Sequence, residues 1–184
     1  MYLLKLFFCF NLPGHGNDGN RISNVFVSKN RVRFVLSKIS TQTRIHLITH
    51  SFGSAVTSFA LSEENRSFGK LIFLTSPNKI KEVFTVFGNF MRLKSKTVNQ
   101  VIALSENLLN ETANEAVVAK KLVKSSFEKL LIIHDEKDKV IPFKTALEIK
   151  NALTSSQLTI HSGIGHYRML SNSAVLNEIK EFLN

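Results

Sequence analysis

The chain of 184 residues is long enough for one substantial core and too short for two ordinary domains. Its 43% hydrophobic and 21% charged residues, with no low-complexity tract, exclude a disordered or fibrous chain. The net charge of +10 attracts anions non-specifically, but the basic residues are spread through many segments, with no aromatic-rich RNA-recognition signature and no zinc-finger spacing, so no specific nucleic-acid partner is expected.

In chain order, Leu3 to Leu12 is rich in Leu and Phe and reads as a buried strand rather than a secretion signal, because no small-residue cleavage pattern follows it. The lone Cys9 lies in this run, which excludes an internal disulfide framework and fits a reducing, cytoplasmic compartment. Pro13-Gly-His-Gly-Asn-Asp-Gly19 is a turn-rich loop. Asn24 to Ile39 has partly helical spacing, Arg44 to Thr49 is a short apolar strand, and Ser54 to Glu64 reads as the helix after it. Lys70 to Thr75 is the next strand. A helical stretch then runs from Asn78 to Ser126, with Val83, Phe84, Val86, Phe87, Phe90 and Met91 in one apolar stripe and Val98, Val101, Ile102, Leu104 and Leu108 in another. Lys129 to His134 is a strand, Lys144 to Leu153 a helix, Gln157 to His161 a last strand and Val175 to Leu183 a closing helix. Charges interrupt every apolar run before it reaches membrane-spanning length, so a soluble chain without a membrane partner is expected.

Strands alternating with amphipathic helices predict an α/β fold with a mostly parallel sheet covered on both faces. In such sheets chemistry collects at the carboxyl ends of the strands. One strand ends in Thr49-His-Ser51-Phe-Gly53-Ser, where a serine on a strand-to-helix turn projects its hydroxyl near exposed helix N–H groups; Gly53 gives the closeness such a turn needs and Thr49 gives it less well. Alone, this serine reads more simply as a helix cap or a surface hydroxyl. Two other strand ends deliver Asp138 and His166, which alone read as a turn carboxylate and a polar loop residue. Together the three supply what acyl transfer needs in the chain order used on this kind of sheet: a weak nucleophile, an imidazole to take its proton and a carboxylate to orient the imidazole. Asp135 and Glu136 are rival acids, and His15 and His50 are neighbouring imidazoles.

These segments resemble the α/β-hydrolase superfamily. Leu12-Pro-Gly-His-Gly resembles that family's loop after its fourth strand, Thr49-His-Ser-Phe-Gly its nucleophile elbow, His134-Asp-Glu-Lys-Asp-Lys-Val-Ile-Pro its acid turn and Gly165-His-Tyr its histidine loop. The resemblance implies Ser51 as nucleophile, Asp138 as acid, His166 as base and the backbone N–H of Phe52 as an oxyanion-hole donor. It also implies residues 1–184 as one domain with residues 78–126 as a helical cap, and a role for His15 in turn structure and in shaping the rim; His50 likewise reads as a neighbour that packs or hydrogen-bonds beside the nucleophile. No cofactor or metal is implied. Family members carry further strands before the Pro-Gly-His-Gly loop, one of which supplies a second oxyanion donor. The chain is therefore expected to be an N-terminally shortened hydrolase, with self-association through an exposed edge at the Leu3 to Phe10 strand. The expected activity is hydrolysis of an ester or related small-molecule acyl substrate; the alternative is a catalytically weak hydrolase-like binding or interaction protein.

Overall fold

The computed structural model describes residues 6–19 and 23–184. Helix α1 (Val25–Ser37) is capped by Asn24, whose side chain accepts from the N–H of Val27. Strand β1 (Leu47–His50) leads through Ser51 into α2 (Phe52–Leu61), and β2 (Ser67–Leu74) follows. Three helices come next, α3 (Ile80–Phe90), α4 (Ser95–Leu109) and α5 (Val118–Val123). Strand β3 (Ser126–Asp135), α6 (Lys144–Ala152), β4 (Gln157–His161), a short 3-10 turn (Tyr167–Leu170) and α7 (Ser173–Leu183) complete the order.

The four strands form a parallel sheet in the order β1-β2-β3-β4, so each crossover places a strand beside its predecessor. Side chains alternate between faces. On one face Leu71 and Phe73 of β2 and Leu130 and Ile132 of β3 join a core with residues of α1, α2, α5 and α6. On the other, Ile72, Leu74, Leu131 and Ile133 pack with Met169 and with Val175 and Ile179 of α7. This double burial is why β2 and β3 read as continuous apolar runs. Coverage of the second face stops short of β1, where Ile48 is 44% exposed beside Ile72.

Two sequence expectations are corrected. Residues 6–12 form no strand, and Leu6, Phe7, Phe8, Cys9 and Phe10 are exposed; Leu3 to Lys5 lie outside the described residues. The physical reason is pairing: the outer edge of the described sheet is β1, and no described strand lies beside it to receive the run. Among the described residues the edge on that side consequently belongs to β1 rather than to residues 6–10. The stretch from 78 to 126 is also not wholly helical. Residues 110–117 run irregularly, and Val117 bridges Lys79 in antiparallel fashion.

Candidate active site

Ser51 stands where β1 must become α2, and its backbone takes φ 53° and ψ −124°, a conformation costly for any residue other than glycine. Its N–H donates to Leu74 O (2.9 Å), which ties the turn to the end of β2. Ser51 occupies the N-cap position, yet its side chain caps nothing. Its Oγ lies 2.9 Å from Nε2 of His166. The simpler reading of this hydroxyl as a helix cap is thereby removed.

Nδ1 of His166 lies 2.8 Å from Oδ2 of Asp138, which completes a chain of hydrogen bonds from hydroxyl to carboxylate across three strand ends. Oδ1 of Asp138 accepts from the N–H groups of Val140 (2.7 Å) and Ile141 (3.0 Å), so its orientation is set by its own turn. Burial pushes this carboxyl up, but the bonds from His166, Ile141 and Val140 outweigh it and hold the group below the usual carboxylate range. The acid in contact with His166 is Asp138, not its rivals. Glu136 is exposed.

Asp135 is fully buried and does something the sequence reading missed. Its Oδ2 accepts from the N–H groups of Ile164 (2.5 Å) and Gly165 (3.0 Å), and its Oδ1 from that of Lys137 (2.7 Å). Burial opposes its ionisation, and the backbone donors of the His166 loop outweigh that cost and lower its pKa. Gly163 and Gly165 both have positive φ (87° and 74°), which turns successive N–H groups toward the carboxylate. The sequence signal was Gly163-Ile-Gly165 immediately before His166.

His50 holds the same loop from the other side: its Nε2–H donates to the His166 carbonyl (2.9 Å), with the rings 4.8 Å apart. Burial lowers its pKa, against the bond to the His166 carbonyl, which favours the charged ring. His15 stacks on Phe52, the residue after Ser51, with centroids 6.0 Å apart. His134 is buried behind Asp138, with Nε2 bonded to Ile141 O (2.9 Å) and 4.0 Å from Asp138 Oδ2. Burial lowers its pKa too.

The elbow differs from expectation in one respect. A Cβ at Gly53 would meet nothing within 4 Å, so no close approach requires glycine there. Thr49 is accommodated because its hydroxyl donates to Ser54 Oγ (2.9 Å) and lies 3.3 Å from Ile72 O. The N–H of Phe52 is the first of α2 and has no partner within the helix, which leaves it available to an anion beside Ser51. A cavity of about 450 Å³ lies between α3 and the loops after β2 and β3, lined in part by Pro77, Asn78, Val83, Val86, Ile141 and Pro142. Ser51, Asp138 and His166 are not among its walls.

The family described as TAP-like protein, Abhydrolase_4, matches residues 107–184. No curated protein sequence matches the chain. Among solved structures, the Pyrococcus furiosus esterase is similar over 94% of this chain and 67% of its own, with TM-score 0.65 and 18% identity. A lipase-esterase related protein from Clostridium acetobutylicum is similar over 94% of this chain and 81% of its own, with TM-score 0.63 and 18% identity. An acylaminoacyl peptidase matches 85% of this chain with TM-score 0.57 and 15% identity, and the chain spans only 26% of that protein's length.

Proposed function

We propose that this chain, which has the α/β-hydrolase fold, is a serine hydrolase acting on an ester or related acyl substrate. The observation that carries the reading is Ser51 itself, held at positive φ with its Oγ directed to His166 instead of to its own helix.

In the proposed reaction His166 Nε2 removes the proton of Ser51 Oγ as the oxygen bonds to the acyl carbon. Asp138, ionised, keeps the Nδ1–H in place and stabilises the imidazolium. Negative charge moves onto the former carbonyl oxygen, where the N–H of Phe52 and the start of α2 favour it. Collapse breaks the bond to the alcohol or amine, which leaves with the proton from His166. Water, deprotonated by the same imidazole, then releases the acid and restores Ser51. Asp135 and His50 act through the loop: with Ile164, Gly165 and the His166 carbonyl fixed, the imidazole sits between its two partners without having to be ordered in each turnover. Residues 78–126 serve as the cap in this reading, and the cavity under α3 receives the apolar part of the substrate.

Turnover of short-chain p-nitrophenyl esters tests the reading. Ser51→Ala is expected to lower kcat by about 10⁴-fold or more, and unchanged turnover overturns the proposal. Folded wild-type protein that binds but never hydrolyses such esters would favour a hydrolase-like binding protein.

A further inference from the structure

The end of α3 and the turn joining it to α4 carry four large apolar side chains in the open: Phe87 (56% exposed), Phe90 (81%), Met91 (52%) and Leu93 (41%). Among them stand Arg92, Lys94 and Lys96, all exposed. From Val83 to Ser105 the sequence contains no Asp or Glu, so these three cations lie in an acid-free stretch between Glu82 of α3 and Glu106 of α4. Of the two apolar stripes in the sequence, only part is spent on packing: Gly88 of α3 and Val98 and Ile102 of α4 are buried, while Phe87, Phe90, Met91, Val101, Leu104 and Leu108 are not. An apolar tip ringed by cations has a specific physical complement, because apolar side chains gain by entering the acyl boundary of a bilayer while Arg and Lys remain with anionic headgroups.

We infer that the α3–α4 tip docks on the surface of an anionic lipid bilayer. Phe87, Phe90, Met91 and Leu93 enter the headgroup boundary, and Arg92, Lys94 and Lys96 pair with phosphate groups. The contact is with the membrane surface, since no helix among the described residues is long and apolar enough to cross a membrane. It is independent of the chemistry at Ser51.

Co-sedimentation with phosphatidylcholine vesicles, with and without phosphatidylglycerol, provides the test. Wild-type protein is expected to sediment with the anionic vesicles and weakly with the neutral ones. Phe90→Ser with Met91→Ser keeps the charge and is expected to weaken binding about tenfold or more. Arg92→Gln, Lys94→Gln and Lys96→Gln together are expected to weaken it about 100-fold, and far more than the same charge loss placed elsewhere by Lys38→Gln, Lys129→Gln and Lys180→Gln. All these side chains are exposed, and circular dichroism verifies that each variant is folded. Three results would overturn the inference. One is wild-type protein that stays in solution; another is equal losses in the two charge variants, which assigns binding to the net charge alone. The third is a dimer in sedimentation velocity that the Phe90→Ser, Met91→Ser variant dissociates while vesicle binding is unchanged, which gives the tip to a second copy of the chain.

Discussion

At the scale of single residues, the meeting of Ser51, His166 and Asp138 was legible because each follows the end of a strand of one parallel sheet. Asp135 was not legible in its proper role. Sequence presents it as one of several acids in a row, and only the folded loop shows its carboxylate facing N–H groups some thirty positions away. Asp135→Asn puts an amide N–H against those donors, or leaves them unpaired in a buried site. The expected result is a fall in kcat/KM of about tenfold carried by kcat rather than KM, with Tm lower by about 5 °C. Faster hydrogen exchange at Ile164 and Gly165 identifies the cause without reference to activity. Unchanged exchange there contradicts the clamp.

Ionisation acts at the same scale. Asp135 and Asp138 have folded pKa values below the usual carboxylate range, so their contribution is present above the unfolded value, about 4, and is lost as pH falls through the folded values. His50 and His134 are held below the usual imidazole value, about 6.5, so on acidification the unfolded chain takes up protons before the folded one does. Both effects lower stability in acid. Chemical denaturation at about pH 7 and about pH 5 should therefore give the lower midpoint at pH 5, the histidines contributing first. A midpoint that is unchanged or higher at pH 5 contradicts the assignment of buried neutral imidazoles.

At the scale of elements, β2, β3 and the helices following each strand were readable because burial on both faces leaves long apolar runs, and helices leave a helical period. The described part of the Leu3–Leu12 run failed for a reason that period and composition do not carry. A strand needs a neighbour, and residues 6–12 have none among the described strands. The α3–α4 hairpin shows the complementary lesson, that an apolar stripe states what can be buried and not what is. Its two helices pack closely at Gly88, where an added Cβ would overlap Val98 Cγ2. Gly88→Ala is expected to destabilise the protein by about 1–3 kcal/mol, and Val98→Ala in the same chain to recover part of that loss. Additive losses in the double variant would show that the two residues do not meet.

At the scale of the whole molecule, one parallel sheet brings the ends of β1, β3 and β4 to the same edge, so residues separated by 115 positions, Ser51 and His166, lie within hydrogen-bond reach. Chain order alone implied that convergence, whereas the strain at Ser51 and the two-sided anchoring of the His166 loop needed the folded backbone. The central claim is that this convergence makes Ser51 a nucleophile. The most direct measurement is reaction of the folded protein with a fluorophosphonate, followed by mass spectrometry of its peptides. A single adduct on Ser51, absent in Ser51→Ala and slowed in His166→Gln, is the result predicted; folded protein that forms no adduct, or forms it equally without Ser51, would contradict the account.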